Sequence, residues 1–158
     1  MRRILILCLA ACLAAGCAHK QTITTSQGGA TVTTNQGNNT VTVTTKEGST
    51  TYGTAVDPAK TGLPIYPGAT KNEGGISGAG AAGSGETVAL STTDSFDKVY
   101  EWYKAHMPAG SETMHMTADS GSVATFQIGK QTDKEQRSVM ITTDKDKTSI
   151  LLSHNVKP

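Results

Sequence analysis

The sequence predicts an α+β fold: an antiparallel sheet of about five strands packed on one helix, preceded by a cleaved signal peptide and a Thr/Gly-rich tether with candidate β-hairpins. Three observations carry this expectation. Phe96, Val99, Tyr100, Tyr103 and Met107 follow the i, i+3, i+4, i+7, i+11 spacing of one helical stripe. The segments around that stripe alternate apolar and polar residues with the period of half-buried strands. An apolar run at the start is too short for a membrane span. The expected division is residues 1–16 as signal peptide, 17–62 as lipidated N-terminus and Thr/Gly/Asn-rich tether or β-hairpin repeats, and 63–158 as the α+β domain.

Met1-Arg2-Arg3 is basic, and the chain is then apolar from Ile4 to Ala15, ending at Gly16-Cys17, which is a signal-peptide layout. A spanning helix needs about 20 apolar residues, whereas here His19-Lys20-Gln21 closely follow the cysteine. Leu13-Ala14-Ala15-Gly16-Cys17 resembles the lipobox of bacterial lipoproteins, whose small residues let a signal peptidase approach the backbone. The usual pattern has Leu three residues before the cysteine; here Ala14 stands there and Leu13 one further back. Leu9-Ala10-Ala11-Cys12 matches the letters better but would leave an unusually short signal. An ordinary secreted protein cut after Ala15 or Gly16 is the alternative. The resemblance implies that Cys17 becomes the N-terminus and carries two or three acyl chains of the palmitate kind. At about 0.8 kcal/mol per buried CH₂, two or three chains hold durably where one is marginal. By similarity to Gram-negative lipoproteins, Ala18 lacks the aspartate associated with inner-membrane retention. The implied location is therefore the periplasmic face of the outer membrane, or the cell surface in an organism with one membrane.

Loss of residues 1–16 removes Arg2 and Arg3 and no acid, so 14 basic residues become 12 against 13 acidic ones, a formal charge of −1. No basic stripe invites nucleic acid. The three cysteines are Cys8, Cys12 and Cys17, two discarded with the signal and one lipidated, so no thiol or disulfide chemistry is expected beyond them.

From Gln21 to Gly53 the chain is rich in Thr, Gly, Gln and Asn. Thr22-Ile23-Thr24-Thr25-Ser26-Gln27-Gly28, Thr31-Val32-Thr33-Thr34-Asn35-Gln36-Gly37 and Thr42-Val43-Thr44-Thr45-Lys46-Glu47-Gly48 repeat one pattern. Its Thr and Val favour strands and its glycine favours turns. With one hydrophobe per strand, the segment reads either as tandem hairpins or as a polar, wholly or partly disordered tether. Fully extended, 17–62 would reach about 150 Å.

Leu63-Pro64-Ile65-Tyr66-Pro67-Gly68-Ala69 enforces extended backbone and a turn, with Ile65 and Tyr66 as candidates for packing. Gly74 to Gly85 reads as a flexible loop. A strand follows over 86–92, with Val88 and Leu90 on one face. Asp94 looks like the N-cap of the helix, which Pro108 stops. Four further strands fit roughly 112–117, 122–129, 136–143 and 148–155, the last three offering Ala124, Phe126 and Ile128, then Val139 and Ile141, then Ile150 and Leu152. Tyr66-Pro67-Gly68-Ala69 and the helix Asp94-Ser95-Phe96-Asp97-Lys98-Val99-Tyr100-Glu101-Trp102-Tyr103-Lys104 resemble uncharacterised secreted and lipoprotein domains of bacteria that carry a Tyr-Pro-Gly-Ala turn. That similarity spans about 63–158 and implies a fold without an activity.

The chemical motifs are sparse. Gly78-Ala79-Gly80-Ala81-Ala82-Gly83 spells G-x-G-x-x-G, but a strand rather than a helix follows it, so no pyrophosphate site is expected. Met114, His115 and Met116, close in sequence to His106, carry copper-type ligands. On a strand, however, the two methionines point one way and His115 the other, and methionines filling the sheet face under the helix explain them more simply. His154 joins such a site only if folding brings it to His106 or His115. Neither G-x-S-x-G nor H-E-x-x-H occurs. No catalytic residue, metal site or cofactor is therefore assigned, and an enzyme is not expected. Trp102, on the flank of the stripe with His106 one turn on, is the candidate contact for a partner or ligand. The expected role is a membrane-anchored envelope lipoprotein acting as a non-enzymatic binding or structural module. Its expected partners are the membrane, through lipid on Cys17, and an envelope protein or ligand. The alternative is a small-ligand or copper carrier using a helix/sheet cleft or the His/Met cluster.

Overall fold

β-Branched Thr, Val and Ile are stiff at χ1 and settle on a pleated surface, and this chain uses them from its first described residues to its last strand. The computed structural model describes residues 19–25, 28–37, 39–53, 56–144 and 146–158. The strands are β1 (His19–Thr25), β2 (Gly28–Asn35), β3 (Thr40–Thr45), β4 (Gly48–Gly53), β5 (Thr70–Gly80) and β6 (Gly83–Thr92), then, after helix α1 (Phe96–His106), β7 (Glu112–Ala118), β8 (Gly121–Ile128), β9 (Glu135–Asp144) and β10 (Lys147–Val156). They form one antiparallel sheet in the order β1-β2-β3-β4-β5-β6-β10-β9-β8-β7. The chain meanders through six strands, crosses one face with α1, restarts at the far edge with β7 and returns to lay β10 against β6. No described helix is long and apolar enough to cross a membrane.

The expected α+β fold of about five strands on one helix is thus corrected, among the described residues, to a ten-stranded antiparallel sheet with one short α-helix. Two features account for the difference. The Thr-rich repeats do not stop at isolated hairpins: β3 pairs with β4, and β4 pairs with β5 from Gly48↔Gly80 to Tyr52↔Ile76, so the ladder runs on into the rest of the sheet. The glycine-rich stretch expected as a loop is a paired hairpin, in which Gly78 faces Gly85 and Gly80 faces Gly83. Glycines carry no apolar side chain, so the alternation that would reveal these strands is silent there. The G-x-G-x-x-G string lies in this hairpin.

Between Lys71↔Leu90 and Gly75↔Val88, β5 takes four steps against two on β6, a bulge that re-aims the strand. Gly75 is required where it emerges: a Cβ there would meet the Gly53 carbonyl oxygen at 2.9 Å and Val56 side-chain atoms at 3.2 Å. Val56 is buried against this bare backbone. In the lead-in turn, Leu63 and Tyr66 enter the core, whereas Ile65, also a packing candidate, points outward.

The core lies between α1 and one face of β6, β10, β9 and β8. Phe96, Val99, Tyr100, Tyr103 and Met107 are buried from the helix, against Val88, Leu90, Ile150, Leu152, Val139, Ile141, Ala124 and Phe126 from the sheet. Register explains the assembly: Leu90, Ile150, Ile141 and Ala124 are successive cross-strand partners, as are Val88, Leu152, Val139 and Phe126. The helix begins one residue later than the expected Asp94 cap. Ser95 is the N-cap, its hydroxyl accepting from the Lys98 amide at 3.4 Å. Asp94 instead accepts from Tyr66 and Lys98 side chains.

Candidate functional site

The anticipated lipidation site, Cys17, and the signal segment lie outside the described residues. Of the other candidates, Trp102 and His106 are brought together on α1, their rings stacked at 4.0 Å with 17° between planes. His106 Nδ1 also lies 2.7 Å from the Trp102 carbonyl oxygen. Trp102 meets Tyr66 and Tyr103 edge-on at 5.3 and 4.9 Å, and it packs partly buried against the core. One face of the indole is thus taken by His106, and two tyrosine rings stand nearly perpendicular to it.

The His/Met cluster is divided by the pleat. His115 faces the helix, 4.0 Å from the Tyr100 ring and 6.0 Å from Phe96, with Nδ1 3.9 Å from Glu112 Oε1. Met114 and Met116 are exposed, and alternation along β7 places them on the opposite face. The expectation that the methionines lie under the helix is therefore inverted: the imidazole lies there. His154 meets neither of the other two candidates; its Nε2 is 2.9 Å from Glu135 Oε1. Among the described residues no group of three His, Cys, Asp or Glu side chains is close enough to hold a metal ion.

Beyond the helix, the same face turns polar in a row the sequence pattern concealed. Glu86, His154 and Arg137 are cross-strand partners on β6, β10 and β9. Glu135 accepts from Arg137 and lies against His154, and these two contacts hold its carboxyl below the ordinary value, Arg137 contributing most. Lys60, on the short 3₁₀ turn Pro58–Thr61, comes within 4.0 Å of Glu86. Gly62 adopts the left-handed conformation with φ 63°, and a Cβ there would press on the Arg137 guanidinium at 3.3 Å. Opposite charges stand in neighbouring positions here and close the polar end of the core, although Glu86 Oε2 and Arg137 Nε are buried without a hydrogen-bond partner among the described residues.

Among the described residues no element covers the other face of the sheet. Val41, Tyr52, Ile76, Met140, Met114 and Met116 are exposed, Tyr52 by 47%, Ile76 by 45% and Met116 by 56%. Register joins them: Val41, Tyr52, Ile76 and Thr87 form one cross-strand row, and Ala89, Leu151, Met140, Thr125 and Met114 another. A shallow depression of about 480 Å³ lies along Val41, Tyr52, Ile76, Ala89 and Leu151. A second, of about 560 Å³, shares Tyr52 and runs over the glycine-rich hairpin. From β2 to β10 the side chains on this face are Val, Ala, Ile, Leu, Met, Tyr, Thr, Ser, Gln and Asn, with glycines between them, and the described charge at its margin is Lys147 beside the β9–β10 turn. Contiguous apolar surface of this extent marks interaction sites, whereas scattered single hydrophobes do not.

This face is the candidate functional surface, and the sequence did carry a signal for it. Val139-Met140-Ile141 and Ile150-Leu151-Leu152 are apolar at consecutive positions, so those strands show hydrophobic side chains to both sides. Compared with known proteins, the chain matches no family model, no curated protein and no solved structure.

Proposed function

We propose that the chain is a membrane-anchored lipoprotein of the bacterial envelope, at the periplasmic face of the outer membrane, whose sheet serves a non-enzymatic binding or structural role. The observation that carries the role is the sheet face that the described residues leave uncovered and almost charge-free, with its six exposed apolar side chains. Burial of such surface is favourable by roughly 25 cal/mol per Å², so a face of this kind is stabilised by whatever covers it. The anchor is supported by Leu13-Ala14-Ala15-Gly16-Cys17.

Strand pairing of residues 19–53 changes how that anchor works. Only two Cα steps separate Cys17 from His19, the first residue of β1, a span of at most about 8 Å. The sheet is held at the membrane surface instead of ranging about 150 Å from it. Metabolic labelling with a palmitate analogue tests the anchor. Acyl label and membrane fractionation should both disappear in Cys17→Ala, and a Cys17→Ala chain that is still labelled would overturn the assignment. For the role, Tyr52→Asp with Ile76→Asp should leave the melting temperature within a few degrees while abolishing whatever envelope phenotype deletion of the chain produces. Full complementation by that double variant would count against the open face.

A further inference from the structure

We propose that the open face pairs with the same face of a second copy of this chain, two sheets stacking about a two-fold axis that runs parallel to the strands between β6 and β10. Three observations converge on a second copy.

First, the apolar side chains are disposed evenly about that line. Ala89 and Leu151 are cross-strand partners at the centre, on β6 and β10. One strand outward lie Ile76 on β5 and Met140 on β9; three strands outward lie Val41 on β3 and Met114 and Met116 on β7. Rotation about the line carries β5 over β9 and β3 over β7, so Val41 and Ile76 of one copy lie over the strands that bear Met114, Met116 and Met140 in its mate, one row of about 7 Å from Met140 and Met114. Methionine suits this task, being adaptable and attracted to aromatic edges such as that of Tyr52.

Second, among the described side chains the face carries no charge but Lys147 at its margin. A partner bearing a strong field would find nothing complementary on it, whereas an identical uncharged face needs no ion to be desolvated on either side. Its Thr and Ser hydroxyls can donate and accept equally, which a self-pairing surface requires.

Third, the area is adequate. The eight strands that overlap about this axis, β3-β4-β5-β6-β10-β9-β8-β7, lie about 4.8 Å apart and, taken as about five residues of ~3.3 Å long, make a face of roughly 630 Å². Two copies together contribute roughly 1,300 Å², within the ~1,200–2,000 Å² of specific, stable interfaces. Face-to-face sheets with strands within about 30° of one another and about 10 Å apart are an ordinary packing mode.

The direction of the axis rests on the lipid-anchor reading. Rotation parallel to the strands keeps the His19 ends of both copies on the same side, so two anchors enter one membrane. Rotation about an axis perpendicular to the strands, within the plane between the sheets, would send the anchors in opposite directions.

The test uses the full chain expressed in a bacterial envelope with a benzophenone amino acid at Ile76. Irradiation should give an adduct of twice the chain's mass, with the crosslink mapped by mass spectrometry to β9 or β7 around Met140 or Met114. The same probe at Thr51, on the other face, should give none. Ile76→Lys should convert the purified chain from dimer to monomer by sedimentation, with circular dichroism unchanged. An Ile76 adduct with lipid or with a different protein, no adduct, or a monomeric native chain would each overturn the proposal. Crosslinks joining Ile76 to Ile76 or Tyr52 would overturn the axis. Cys17→Ala separates the two readings: the purified variant should still dimerise at high concentration, and acyl labelling of the native chain reports on the anchor alone.

Discussion

Tyr66 donates its phenolic hydrogen to Asp94 Oδ2 at 2.8 Å, tying the turn that leads into the core to the residue two places before the helix. Lys98, one helical turn on, donates to the other oxygen of the same carboxylate at 2.9 Å. Asp94 is held below the ordinary carboxylate value of 3.8, first by the Lys98 hydrogen bond and then by that of Tyr66. A group with a lowered folded-state pKa contributes stability above its unfolded value and loses it as pH falls through the folded one. Acid should therefore begin to release this clasp below about pH 4. In Tyr66→Phe the melting temperature at pH 7 should fall by a few degrees, and the wild-type advantage should shrink between pH 4 and pH 2. An advantage that stays constant down to pH 2 would remove the carboxylate from the account.

Adjacent leucines on β10 separate the two faces of the sheet. Leu152 is fully buried under α1, whereas Leu151 is partly buried on the open face. Leu152→Ala should cost about 2–5 kcal/mol in denaturant unfolding, the range for cavities in a packed core. Leu151→Ala should cost on the order of 1 kcal/mol in the monomer, because much of its contact with water is already present when folded. Equal losses at the two positions would mean that the open face is covered within a single chain.

These leucines also show what the sequence could and could not reveal. The helix stripe was legible because five residues fall at helical spacing, and the strands over 112–155 were legible because their inward residues alternate. The sheet's size was not. Thr-Val-Thr-Thr repeats have strand propensity but too little apolar content to say whether they pair with each other, with β5 or with nothing, and the glycine hairpin that links them to the core has no periodicity at all. Of the candidate side chains, Trp102 and His106 could be paired from their one-turn spacing. The row of Glu86, His154 and Arg137 joins residues up to 68 positions apart, and only strand register brings them together. His115 was placed correctly relative to its neighbouring methionines, but which of the two faces met the helix depended on the register of β7 with β8.

The hydroxyl of Tyr103 gives a narrower test of the core. The ring is fully buried, and its O–H reaches the Pro64 carbonyl at 3.2 Å, 39 residues away, while burial pushes the phenol pKa up. Tyr103→Phe keeps the ring and removes the bond, leaving the carbonyl of the lead-in turn without that donor. About 1 kcal/mol of stability should be lost, read as a lower denaturant midpoint with an unchanged slope. A changed slope would mean that the variant alters compactness and not one hydrogen bond.

Uneven cover should also make the sheet unevenly stable. α1 packs over β6, β10, β9 and β8, while β3 and β4, buried Thr40 apart, carry exposed or half-buried side chains. Amides of β3 and β4 should exchange with solvent through openings that leave β9 and β10 intact, so their protection should fall short of that given by global unfolding. Gly75→Ala should widen the gap. Its Cβ would stand 2.9 Å from the Gly53 oxygen at the end of β4 and 3.2 Å from Val56, so β4 must retreat from β5. A strain of about 1–3 kcal/mol localised there should lower protection in β3 and β4 tenfold or more and leave β9 nearly unchanged. Equal loss of protection across all the strands would instead show that the sheet opens as one cooperative unit, with the helix stabilising strands it never touches.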